Sequence, residues 1–156
     1  VTAANLSFIT TNETGPAMLM MNRRAVQSYG AVMVESRAAD ANPAQLVQML
    51  FDGLVESLSA AECHIVQRNV RDKAHHISRA LRILLGLRST LDHERGGDIA
   101  RNLGELYDYV SRRLLKVNLE DDLGALREVR GLMQDIREAW RMMPSRAQRP
   151  AVAAVM

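Results

Sequence analysis

Residues 42–68, NPAQLVQMLFDGLVESLSAAECHIVQR, decide the fold class. Leu46, Met49, Leu50, Gly53, Leu54, Leu58, Ala61 and Ile65 recur at intervals of three and four, the spacing that lines one face of an α-helix. Asn42-Pro43-Ala44-Gln45 opens the run with an N-cap side chain, a proline at N1 and a glutamine at N3, the pattern of a capping box. Pro43 has a distant counterpart in Pro144, and no proline falls between them. Proline breaks helix interiors and is tolerated at their ends, so the pair brackets one long helical region.

Three more helices follow by the same spacing. The second, about 70–91, carries Ala74, Ile77, Leu81, Leu84 and Leu91 behind a cap at Asn69. His93-Glu94-Arg95-Gly96-Gly97 reads as a tight reversal, its glycines freeing the backbone. The third helix, about 98–118, shows Ile99, Leu103, Leu106, Val110, Leu114 and Val117. The fourth, about 121–142, shows Leu126, Val129, Met133, Ile136 and Trp140. Short connections make consecutive helices antiparallel. The expected fold is all-α, an antiparallel four-helix bundle over residues 43–143. Residues 1–22, rich in Thr and Asn, read as an N-terminal extension that is flexible or foreign to the fold, with Met20 or Met21 as a natural start. Residues 23–42 are left as a linking segment, and 144–156 as a flexible tail.

Composition narrows the function classes. The 156 residues suffice for one domain with one core. A hydrophobic share of 47% with 24% charged residues is that of a globular chain rather than a disordered one. One cysteine excludes a disulfide scaffold and a thiolate zinc site. No window approaches the roughly 18 apolar residues of a membrane span, and the start lacks the basic-then-apolar order of a secretory signal, so a cytoplasmic setting without membrane insertion is expected. Twenty Lys and Arg stand against 18 Asp and Glu, and the arginines are spread over several helices, which disfavours nucleic acid.

Catalytic and metal signatures are not found. A di-iron bundle needs paired Glu-x-x-His motifs, and only Asp72-x-x-His75 comes near. His75 and His76 are adjacent, about 100° apart on a helix, and cannot converge on one ion. His64 and His93 have no evident partner. Gly96-Gly97 lacks the spacing of a phosphate loop, and Cys63 falls on a polar face. The residues point to an interaction protein with no catalytic site, metal or cofactor.

The apolar arcs say where an interaction could lie. The third and fourth helices read as one apolar arc with a polar back. The first adds a row Val47, Phe51, Val55, and the second adds Ala80, Ile83 and Leu87. These widen both arcs to about 200°. Either the N-terminal segment or a homodimer partner covers the added rows, or they line a groove for a client helix.

Three segments resemble the FliS family of flagellar secretion chaperones. They are Tyr29-Gly-Ala-Val-Met-Val-Glu-Ser36, Gln45-Leu-Val-Gln-Met-Leu-Phe-Asp-Gly53, and Leu91-Asp-His-Glu-Arg-Gly-Gly-Asp-Ile-Ala-Arg-Asn-Leu-Gly-Glu-Leu-Tyr-Asp-Tyr109. Ile136-Arg-Glu-Ala-Trp140 resembles the family's closing run, so the likeness covers about residues 26–143 in order. It implies a short N-terminal helical cap, placed at residues 23–42, packed on the four-helix core and able to occupy part of the client surface. It implies a chaperone, not an enzyme, that holds the C-terminal segment of flagellin, prevents its premature polymerisation and delivers it to the export gate. On that footing Val47, Leu50, Phe51, Leu54, Val55, Ile77, Leu81 and Ile83 are the candidate flagellin contacts. Val26 and Tyr29 are the candidates for export-gate docking or capping, and Gly96, Gly97, Asn102, Tyr107, Tyr109 and Trp140 for structural roles. His93 departs from the aromatic or apolar residue usual in that loop, and residues 1–19 have no counterpart. A generic helical adaptor or homodimerisation module is the alternative.

Overall fold

The computed structural model describes residues 42–144. Four α-helices occupy them: α1 (Pro43–Val66), α2 (Val70–Ser89), α3 (His93–Glu120) and α4 (Leu123–Met142). Each start is fixed by a side chain that accepts from an unpaired N-terminal amide. The Gln45 amide donates to Asn42 Oδ1 at 2.9 Å while the Asn42 amide donates to Gln45 Oε1 at 3.1 Å, completing the capping box. Asn69, Asp92 and Asp122 cap α2, α3 and α4 in the same way.

The connections are Gln67–Asn69, Thr90–Asp92 and Asp121–Asp122, too short for anything but reversal. The helices therefore run up and down in a ring, α1 packing on α2 and α4, and α3 packing on α2 and α4. Leu50, Leu54, Leu58, Leu84, Val110, Leu114, Leu126, Val129 and Met133 fill the centre. Charges stitch the seams outside it. The Arg127 guanidinium donates to Glu62 at 2.7 Å and Arg130 joins it, tying α4 to α1. Arg88 pairs with Asp108 across the α2–α3 seam, and Arg113 with Glu128 across α3–α4 at 2.7 Å.

One sequence expectation changes at the α2–α3 connection. His93–Gly97 is not the reversal; the chain has already turned at Thr90–Asp92, and His93 begins α3. The two glycines serve a break inside the helix instead. Gly97 adopts φ 50° and ψ −126°, which side chains other than glycine's rarely adopt. A Cβ on Gly96 would stand 2.7 Å from that of Ala100. The turn before the break folds Leu91 and His93 over Gly104, which gives the unusual His93 a packing role. Ile99, expected in the core, lies just past the break and is exposed.

Candidate binding surfaces

Seven of the eight candidate flagellin contacts are core residues in this structure. Val47, Leu50, Phe51, Leu54, Val55, Ile77 and Ile83 are each no more than 7% exposed and belong to one hydrophobic cluster, while Leu81 is half-buried against it. The rows that look surplus on a helical wheel face helices on either side. Phe51 meets Trp140 of α4 with ring centroids 6.5 Å apart. Val55 stands two turns before Glu62, whose carboxylate reaches Arg127 and Arg130 of α4, so both point within about 20° of the same direction. On α2, Ala80, Ile83 and Leu87 continue the side of His76, which meets His64 of α1. A helix packed on two neighbours needs two apolar faces, and that consumes the wide arcs. Among the described residues, those rows are buried rather than open.

The apolar surface that is open lies elsewhere. Leu85 on α2 and Leu115 and Leu119 on α3 are 63%, 58% and 84% exposed, and Val70 at the start of α2 is similar. The polar back expected of α3 is thus interrupted by two leucines one turn apart. The signal was in the sequence, as Leu115-x-x-x-Leu119 outside the Leu114–Val117 core row.

Of the remaining candidates, Tyr107 is buried, and burial pushes its phenol above the ordinary range. The Tyr109 hydroxyl donates to Glu128 Oε1 at 2.6 Å, which raises the phenol and holds the carboxyl below its usual value. Trp140 donates through Nε1 to the Ala44 carbonyl at 3.4 Å, joining the last turns of α4 to the first turn of α1. Asn102 is exposed. Val26 and Tyr29, with the proposed N-terminal cap, lie outside the described residues.

His64 has a partner after all. Its ring stacks on His76 at 5.2 Å and 9°, and His75 meets His76 edge-on at 5.3 Å. The Nδ1 atoms of His64 and His76 are buried without a hydrogen-bond partner. Parallel rings do not aim two lone pairs at one point, and among the described residues no group of three or more His, Cys, Asp or Glu converges as metal ligands would. No described helix is long and apolar enough to cross a membrane.

Desolvation, then the neighbouring His64, hold the His76 pKa below 6.5. The unfolded chain therefore binds more protons below pH 6.5. Stability is complete above that value and falls as pH drops through 6.5 towards the folded pKa. Denaturation midpoints should be level near pH 7.5 and decline as the pH falls below about 6.5, above the range in which most carboxylates titrate. The decline should flatten in His76→Leu, and an unchanged slope in that variant would remove His76 as its source.

The family described as flagellar protein FliS matches residues 25–147. The flagellar secretion chaperone FliS of Salmonella typhimurium is 43% identical over 129 residues, which cover 82% of this chain and 96% of that protein. Its counterpart in Escherichia coli is 38% identical over 135 residues, covering 84% and 99% of the two chains. That of Bacillus subtilis is 30% identical over 117 residues, covering 75% and 86%.

Proposed function

The chain belongs to the FliS family of flagellar proteins, and from that premise we propose that it is a cytoplasmic, non-enzymatic export chaperone for flagellin. The observation that carries the reading is the match across residues 25–147, which takes in the whole bundle, to relatives named flagellar secretion chaperones. The client is the C-terminal segment of flagellin. A segment whose amphipathic faces seek partners is a polymerisation hazard, and a bundle that covers those faces holds it without ATP or covalent chemistry. Ordering a flexible client is unfavourable in entropy, so the affinity comes from a large wrapped area.

Val47, Phe51 and Val55 remain the proposed client row, on the α1–α4 side. Ile83 borders α1 from its other side, Leu50, Leu54 and Ile77 shape the core beneath, and Leu81, which faces the α2–α3 seam, is not carried into the row. Because the row is buried, the client reaches it by opening a helix seam rather than by adding to a ready surface. Residues 23–42, proposed as the cap, compete for the same surface, and Val26 and Tyr29 carry the contact to the export gate.

Calorimetry with a flagellin C-terminal peptide tests this reading. Binding is expected to weaken at least about tenfold, or 1.4 kcal/mol, when Val47 and Val55 are both changed to Thr, which keeps shape and adds a hydroxyl. Tyr29→Ala should leave that affinity within about twofold, well under 1 kcal/mol, while abolishing flagellin export. No heat with peptide up to roughly 100 μM, a level that weaker than micromolar clients reach, would overturn the flagellin reading. Unchanged affinity in the valine variant would move the client to another face.

A further inference from the structure

The exposed leucines lie along one seam. Arg88 and Asp108 pair across it, so each marks the direction in which its helix faces the other. Leu81 and Val70 precede Arg88 by two and five helical turns, and Leu115 and Leu119 follow Asp108 by two and three turns. All four therefore point within about 20° of the seam. Leu85 sits just outside Leu81. At the far end the Lys73 ammonium donates to the Asn118 carbonyl at 3.0 Å and to Asp121, which fixes the antiparallel register. From Leu85 to Val70 the stripe runs fifteen residues of α2, about 22 Å. Single exposed apolar residues are ordinary on a protein surface, but a contiguous stripe of a few hundred Å² is not. Four of the eight large exposed hydrophobics among the described residues fall on this one seam.

The charges left without a partner along its rim carry one sign. Arg71 and Arg82 stand on the outer side of α2, and Arg112 on the outer side of α3; all three are exposed, and none makes an ion pair with another described residue. Lys116 beside them is met by Glu120, and Glu105 stands beyond the upper end, past the level of Arg88. The other long cations of these two helices that face a neighbour, Lys73, Arg79, Arg88 and Arg113, each have a carboxylate. The rim cations are thus left over where the leucines are.

We infer that the α2–α3 seam docks an amphipathic helix of a second protein partner, apolar along one face and flanked by Asp and Glu. A stripe of this length takes about four helical turns, read at i, i+4, i+7 and i+11. Leu81 forms the floor, Leu85, Leu115 and Leu119 the walls, and Arg71, Arg82 and Arg112 meet the acidic flanks. In the ring of helices this seam lies opposite the α1–α4 seam that holds Phe51 and Val55, so both faces can be occupied at once. The assignment is independent of the flagellin reading.

The test uses the full chain and two synthetic 16-residue amphipathic peptides of about four turns, with leucine at the four positions and either Glu or Lys on the flanks. The Glu peptide should bind, more weakly as salt rises, and the Lys peptide at least about tenfold less tightly. The double variant L115E/L119E changes only exposed residues, so it should melt as the parent does. It should lose the Glu peptide at least about tenfold and keep the flagellin peptide. Equal binding of the two peptides, or undiminished binding by L115E/L119E, overturns the proposal. So does loss of the flagellin peptide in that variant, which makes the seam a client site. Dimerisation of the parent on dilution-series light scattering, abolished by L115E/L119E, overturns it in favour of a second copy of the chain.

Discussion

Phe51→Ala is expected to lower the unfolding free energy by about 3–5 kcal/mol, the range for deleting a buried aromatic ring. Phe51 is 2% exposed and packs between α1 and α4 against Trp140. Removing six ring carbons leaves a void that the neighbours fill only in part. Trp140 is itself tied to the Ala44 carbonyl on α1, so it is poorly placed to move into that void. In a bundle of about a hundred residues, where 1 kcal/mol shifts the midpoint by roughly 4–8 °C, the melting temperature should fall on the order of 15 °C or more. Thermal denaturation followed by circular dichroism checks this. A loss under about 1 kcal/mol would mean that the ring is free to leave its site, contrary to its burial. The same arithmetic explains why Phe51 is a poor probe of client binding: a charged residue there disturbs the fold before it reports on a partner.

The second large effect is expected at Asp121. Lys73 is 5% exposed on α2, with its ammonium held by Asp121 at 2.6 Å and by the Asn118 carbonyl at 3.0 Å, at the end of α3 where unpaired carbonyls make the potential negative. Asp121→Ala leaves that ammonium with the carbonyl alone, and places alanine at φ 56°, a left-handed conformation that aspartate tolerates better. Stranding a buried charge costs about 3–5 kcal/mol. Asp121 itself is 55% exposed and water can take part of its place, so a loss of about 2–3 kcal/mol is expected. Asp121→Asn keeps the backbone conformation and an acceptor and should lose less. Lys73→Met combined with Asp121→Asn should recover most of the loss, because no buried ammonium is then left without its carboxylate, and the exposed side chain at position 121 keeps its polar group in water. Urea denaturation of the single and double variants closes the cycle; additive losses would show that the two residues do not act together.

The helices were legible because their signals are local. Asn42 with Gln45, Asn69, and the brackets Pro43 and Pro144 fix starts and limits without reference to distant residues. The Gly96-Gly97 pair misled for a physical reason: two glycines permit a reversal and equally permit a break within a helix, and only Asp92, a capping residue three positions ahead of Arg95, distinguishes them. Burial of Val47, Phe51 and Val55 was not legible, since a wheel counts apolar residues but does not say how many neighbours a helix has. Two neighbours use two faces. Leu115 and Leu119 were visible as apolar residues but not as a surface, because their companions Leu81 and Leu85 sit on another helix and are brought alongside only by the register that Arg88 with Asp108 and Lys73 with Asp121 impose.

The contact between Trp140 and Ala44 has a further use. The chain has one tryptophan, and it sits where the last turns of α4 meet the first turn of α1. Its indole is 8% exposed and close to Phe51. The protein therefore carries its single tryptophan fluorophore at the junction of its first and last helices. Its emission colour responds to water entering there, so any event that parts α1 from α4 is readable in the unlabelled molecule.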